Sequence, residues 1–190
     1  HLMTALYAGK DLEFDYSLLR PKGARLKKFG GRSSGPAPLI SLHEFIRKTF
    51  SEAQGRKLKS IECLDLLNKI AEIVVVGGVR RSSEISLSDL EDQDMSTAKN
   101  WPFPLHRAMS NNSAVYYIKP GPIVFMKEWA NMADSGSGER GIVNLEGARL
   151  RSPERRNSKR IDGVNPCAEI LLRSKQFCNL TEVVVRAEDD

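Results

Sequence analysis

The feature that most limits the possible folds is a repeated switch in apolar spacing. Leu42, Phe45, Ile46 and Phe50 recur at helical spacing between Leu39 and Gln54. A second helix is expected from Ser60, a capping residue, to about Val76, with Cys63, Leu66, Leu67, Ile70, Ile73 and Val74 as its stripe. On that stripe Cys63 reads as a small buried hydrophobe. Then the period changes. Ser83 to Leu87 alternates like a strand, and Ser88-Asp89-Leu90-Glu91 has the form of a capping box for a short helix through about Lys99. Trp101-Pro102-Phe103-Pro104 breaks it. Ser113 to Ile118 reads as a strand, and Pro120-Gly121-Pro122 opens a helix whose stripe is Phe125, Met126, Trp129, Met132 and Ala133, a pattern expected to pack into a core. Gly141 to Asn144, Ile170 to Leu172 and Val183 to Arg186 read as extended. Strands that alternate with helices imply an α/β fold.

The segments between these elements carry the charge. Arg20, Lys22, Arg25, Lys27, Lys28 and Arg32 fall within thirteen residues that contain no acid, among the glycines and prolines of residues 20–38. Glycine lets a backbone approach a ligand, and the cations attract phosphate. The stretch is not a phosphate loop of the Walker type, because no Gly-Lys-Ser/Thr ends it before a helix. Residues 149–160 are rich in Arg, Lys, Ser and Asn without apolar period, and read as a mobile basic loop. The net charge of +5 raises nucleic acid as a partner, but the basic stretches lack the interleaved aromatics that stack bases, so this reading ranks last. No apolar run approaches the roughly 20 residues a membrane helix needs, and no signal peptide opens the sequence. The three cysteines are an odd number, unsuited to a disulfide framework. A reducing cytoplasm is the expected compartment.

Chemistry concentrates near the C-terminus, in Asn165-Pro166-Cys167-Ala168-Glu169-Ile170 and Phe177-Cys178-Asn179-Leu180. Pro166 pushes Asn165 toward extended backbone. In an extended segment Asn165, Cys167 and Glu169 face one way, so a carboxamide, a thiol and a carboxylate are expected on the same side of a loop between two strands. A metal reading is weaker, because Cys167 and Cys178 lack a paired Cys-x-x-Cys or a nearby histidine, and no metal is expected.

These residues resemble the catalytic finger loop of ribonucleotide reductases. Gly77-Gly78-Val79-Arg80-Arg81-Ser82, Ser137-Gly138-Glu139-Arg140-Gly141, and Phe29-Gly30-Gly31 with Ser34-Gly35-Pro36 add to the match, which is most like the adenosylcobalamin-dependent class and runs from about Tyr7 to Glu188. The resemblance implies a fragment of a ten-stranded α/β barrel, with residues 1–190 a partial catalytic domain and the finger loop in residues 164–180. It implies that Cys167 carries a transient thiyl radical that takes the 3′ hydrogen of a ribonucleotide. Glu169 is then the base on the 3′ hydroxyl, Asn165 a hydrogen-bonding partner of the ribose, and Cys178 one of two reducing thiols. It further implies adenosylcobalamin as cofactor, with no site identifiable in this sequence, and a thioredoxin-type reductant. A deoxynucleoside triphosphate effector would meet Lys28, Arg32, Arg80 and Arg81. The second reducing cysteine has no good candidate here, since Cys63 lies on a helix stripe, so the isolated chain is expected to lack turnover. The competing reading is a nucleotide-binding regulatory module without chemistry, built on the basic glycine loop.

Overall fold

The computed structural model describes residues 1–27, 30–75, 83–179, 181 and 183–186. In chain order these form α1 (Leu2–Tyr7), α2 (Ala37–Glu52), α3 (Ser60–Val75), β1 (Glu84–Ser88), α4 (Gln93–Ser96), β2 (Ser110–Tyr116), α5 (Pro122–Asp134), β3 (Gly141–Asn144), α6 (Leu145–Arg151), β4 (Ile161–Val164) and β5 (Leu171–Arg173). The architecture is mixed α/β. Strands β1, β2 and β3 make a parallel sheet in that order, and β4 pairs antiparallel with β5. Parallel neighbours need crossovers. Here α4 and a 3-10 turn at Leu105–Met109 join β1 to β2, and α5 joins β2 to β3. The strand expected over Val183–Arg186 does not form; that stretch is irregular and its three valines are exposed.

The register decides what the sheet presents. Ile85 pairs with Asn111, Leu87 with Ser113, Ser113 with Gly141 and Val115 with Val143, so these residues share one face. Val115 on that face is buried with Leu145 of α6 and Ile161 of β4, and Leu87 and Leu171 pack against them. The β4–β5 hairpin is thereby seated on the sheet.

A second core joins the first three helices. Leu2, Leu42, Ile46 and Leu66 are buried together, with Phe45, Phe50 and Ile73 packed around them. Each such side chain contributes about 1.5–3 kcal/mol by leaving water. The stripe expected for α2 is the one that is buried. The stripe of α3 needs correction. Leu66 faces α2, and Leu64 faces Met95 and Ala98, which leaves Cys63, Leu67, Ile70 and Val74 as an exposed ridge between two packed faces. Cys63 is therefore not a core residue.

Asp65 fastens α3 to the 3-10 turn. Its Oδ1 accepts from Arg107 Nε at 2.6 Å and lies 2.9 Å from His106 Nε2, while Oδ2 accepts from Arg107 Nη2 at 2.7 Å. Burial by itself would raise this carboxyl, but the hydrogen bonds and charges of Arg107 and His106 outweigh it and hold Asp65 below its ordinary value. A lowered folded value gives stability that is present above the unfolded carboxylate range, near pH 4, and is lost as the pH falls through the folded value. Asp65→Asn is expected to flatten the dependence of unfolding free energy on pH below about 4. Urea titrations at stepped pH check this, and an unchanged slope would remove Asp65 from the acid response.

Three further expectations change. The helix after β1 starts later than the Ser88 capping box implies, because Asp92 is the cap and accepts from Met95 N at 3.0 Å. Ser88 and the carbonyls of Asp89 and Leu90 instead receive the guanidinium of Arg140, at 2.9, 3.0 and 2.8 Å. The apolar stripe of α5 is not core either. Trp129 is 55% exposed and Met126 58%, while the buried residue of this helix is Glu128, paired with Arg140 at 3.0 Å. The helix is docked through that ion pair and an edge contact of Phe125 with Tyr116. The basic stretch 149–160 begins inside α6 and ends in a 3-10 turn, with Arg149 donating to the Ile161 carbonyl and Arg156 to that of Leu171.

Candidate active site

The turn that joins β4 to β5 is closed by one side chain. Asn165 is 4% exposed. Its backbone N–H donates to the Ile170 carbonyl at 3.1 Å, its carbonyl accepts from Ala168 N at 2.8 Å, and its Oδ1 accepts from Ile170 N at 2.9 Å. The carboxamide nitrogen is then left to reach outward. It donates to Glu169 Oε1 at 2.6 Å and lies 3.8 Å from Cys178 Sγ. An amide nitrogen has two hydrogens, enough for both contacts.

Cys178 arrives by a second reversal. After β5 the chain turns at Ser174-Lys175, where Lys175 has φ 64°, and Gln176 bonds Arg173 through both its N–H and its side chain. This brings Cys178 back beside Asn165, where it is half-buried. All three cysteines are free thiols.

The expected extended loop is replaced by a compact turn. Ala168 has φ 67°, in the left-handed region, which costs an L-residue about 1–2 kcal/mol. That conformation ends the two-residue alternation, so the convergence of Asn165 with Glu169 comes from a turn and a direct hydrogen bond. Cys167 is exposed near the tip of the turn, whereas Asn165, Glu169 and Cys178 are joined by contacts. One partner had no signal in the motif. Asn111, on β2, donates its Nδ2 to the Pro166 carbonyl at 2.8 Å. The only hint was a pair of asparagines inside a strand, where asparagine is disfavoured.

Elsewhere, a concavity of about 300 Å³ is lined by Cys63, Leu67, Ser86, Ser88 and Asp92, and one of about 430 Å³ by Trp129, Met132, Ala133 and Gly136. Neither is lined by Cys167 or its neighbours. Among the described residues no His, Cys, Asp and Glu group together as a metal site, and no helix is long and apolar enough to cross a membrane.

Comparison with known proteins gives the chain's relatives. The adenosylcobalamin-dependent ribonucleoside-triphosphate reductase of Lacticaseibacillus paracasei is 40% identical over 182 residues, which is 90% of this chain and 23% of that protein. The enzyme of the same description from Lactobacillus gasseri is 38% identical over 183 residues, 92% of this chain and 24% of that protein. The one from Euglena gracilis is 34% identical over 186 residues, 90% of this chain and 24% of that protein. Over this span the chain is a relative of adenosylcobalamin-dependent ribonucleoside-triphosphate reductases. It spans about a quarter of the length of the curated relatives it matches. No family model and no solved structure matches it.

The other reductase-like motifs have distinct fates. In Ser137–Gly141 both charges are turned inward. Glu139 accepts from Lys99 Nζ at 2.7 Å and from Asn112 N at 2.8 Å, and Arg140 is spent on Glu128, Ser88 and two carbonyls. This motif ties β3 to its neighbours. Arg32 is exposed and donates to the Gly23 carbonyl at 3.0 Å, across a small hairpin whose bridge pairs Arg25 with Arg32. Gly35 closes that hairpin at φ 77°, with Lys22 N only 3.1 Å from where a Cβ would stand. Lys28, Arg80 and Arg81 lie outside the described residues.

Proposed function

We propose that this chain is the catalytic-turn segment of a ribonucleotide reductase that makes deoxyribonucleotides for DNA synthesis. The observation that carries the reading is the Asn165 carboxamide holding Glu169 and Cys178 beside the turn that presents Cys167. The similarity over 90% of the chain to enzymes named for this reaction supports it. Their name also favours a ribonucleoside triphosphate as substrate.

Cys167 is the thiol whose radical takes the 3′ hydrogen from the ribose. Its exposure at the turn tip leaves it open to substrate and to the remainder of the parent enzyme. Glu169 accepts the proton of the 3′ hydroxyl. One of its oxygens is held by Asn165, which orients the carboxylate and leaves the other for the substrate. Asn165 has its oxygen committed to the turn and its nitrogen turned toward the site, so it also serves the ribose as a donor. The 2′ hydroxyl leaves as water with a thiol proton, two thiols supply the two electrons and become a disulfide, and Cys167 returns the hydrogen to the 3′ carbon. Cys178 is one of them and the other lies elsewhere in the intact enzyme. A thioredoxin-type dithiol then restores the pair by exchange. Adenosylcobalamin belongs to this reading through the relatives' name, and initiates radical chemistry when bound. Neither concavity adjoins Cys167, so none of the residues described is assigned to hold it. The outer edges of β1 and β3 are unpaired among the described residues, which suits a sheet continuing into the family's ten-stranded barrel. The free thiols suit a cytoplasmic setting.

The test is the full-length parent enzyme, assayed with ribonucleoside triphosphate, adenosylcobalamin and a dithiol. Deoxynucleotide product is expected, and its absence from correctly folded enzyme would overturn the reading. In that enzyme Glu169→Gln is expected to lower kcat by about 10²-fold or more with KM little changed, because an amide keeps the shape and the Asn165 contact but cannot take a proton. A change confined to KM would move Glu169 from base to binding residue.

The hairpin of residues 20–36 and the Gly77–Ser82 segment are proposed to bind a deoxynucleoside triphosphate effector through Lys28, Arg32, Arg80 and Arg81. Support comes from Gly30 and Gly31, both at positive φ near the hairpin tip beside Arg32. Equilibrium binding of dATP, dTTP and a short oligonucleotide at matched salt is expected to favour a triphosphate. Preference for the oligonucleotide would favour a nucleic-acid role.

A further inference from the structure

Of the seven residues of β2, Asn111 is the exposed one. Its side chain reaches from the parallel sheet to the candidate active-site turn, across 55 residues of sequence, and donates to the Pro166 carbonyl. That oxygen belongs to the peptide group joining Pro166 to Cys167. A peptide group is planar, so holding its oxygen also sets the direction of the Cys167 N–H and the base from which the thiol projects. The rest of the turn is closed on itself. Asn165 O takes Ala168 N–H, and Ile170 both gives to and takes from Asn165. Among the described residues no backbone N–H donates to Pro166 O. The internal bonds therefore fix the shape of the turn, while Asn111 ties its tip to a different element.

We propose that Asn111 is a positioning residue for Cys167, which holds the Pro166–Cys167 peptide against the sheet and so places the thiol for hydrogen abstraction. This rests on the reading of Cys167 as the reacting thiol. The role needs a donor. A carboxylate of the same shape would face the carbonyl oxygen with no hydrogen to offer. Because Asn111 is the exposed residue of β2, its replacement is expected to leave stability within about 0.5 kcal/mol.

The experiment uses the full-length parent enzyme carrying Asn111→Asp and Asn111→Ala. Both variants are expected to lose at least about tenfold in kcat, since small misplacement of a reacting group is costly, with KM for the ribonucleotide within about twofold of the unaltered enzyme. Hydrogen exchange, read by mass spectrometry, is expected to quicken at Ala168 and Ile170 but not at Val115 in β2. An unaltered parent without activity would instead defeat the functional reading itself. With an active parent, unchanged kcat in both variants, a change confined to KM, or quickened exchange in the sheet as well as the turn would each overturn the positioning role.

Discussion

Cys167→Ser is expected to reduce deoxynucleotide formation by the intact enzyme to background while leaving the fold alone. The two halves of this expectation have separate causes. A hydroxyl hydrogen is far harder to abstract than a thiol hydrogen, so serine cannot become the hydrogen-abstracting radical. Every 1.4 kcal/mol added to a barrier is about tenfold in rate, and the difference between the two bonds is many times that. The stability effect is small because Cys167 is exposed at the tip of a turn whose closure depends on Asn165, Ala168 and Ile170. A surface change of this size stays within about 0.5 kcal/mol. Activity and a urea melt measured on the same sample separate the halves. Normal activity in Cys167→Ser would remove the radical role.

Arg140→Met is expected to cost about 3–5 kcal/mol of folding free energy, the range seen when one partner of a buried ion pair is removed. Arg140 is 3% exposed and Glu128 is 7% exposed, so the carboxylate left behind has no water to turn to. Three further acceptors, Ser88 Oγ and the carbonyls of Asp89 and Leu90, lose their donor at the same time. A domain of this kind has about 5–15 kcal/mol in total, so the loss is a large share of it. Adding Glu128→Leu should recover part of the loss, because the uncompensated charge is gone. Urea unfolding of the single and double variants measures both values. A single-variant loss under about 1 kcal/mol would mean that the clasp is not a principal support of the sheet.

How much of this was legible in the sequence depended on what each residue advertises. The stripe of α2 was readable because Leu42 and Ile46 enter one core, shared with Leu2 and Leu66. Cys63 was misread because α3 packs on two sides and leaves a third ridge open, and one sequence period cannot say which ridge is left. Trp129 and Met126 were expected inside for the same reason. Apolar spacing reports a face, and the face of α5 that is docked carries Glu128, whose partner Arg140 lies on the far side of a turn. The helix after β1 starts at Asp92 because Ser88 was already committed to Arg140, a contact 52 residues away. At the candidate site, alternation along an extended chain was the wrong geometry, because Ala168 turns the chain at φ 67°. Alanine gives no sign of positive φ, which is usually marked by glycine or asparagine. Asn111 was not singled out, because its only hint, two asparagines in a strand, names no partner in another element. The Ser137–Gly141 motif stood out in the sequence, yet only the structure shows its charges used internally.

The most direct test of the two thiol roles is to let the intact enzyme react with a ribonucleotide in the absence of any external reductant, then map every cysteine by alkylation and mass spectrometry. The expected result is deoxynucleotide in amounts limited by the enzyme, Cys178 in a disulfide with a cysteine outside this segment, and Cys167 recovered as a free thiol. Product formed with Cys178 still reduced, or with Cys167 and Cys178 bonded to each other, would contradict the assignment of radical and reducing roles to these two residues.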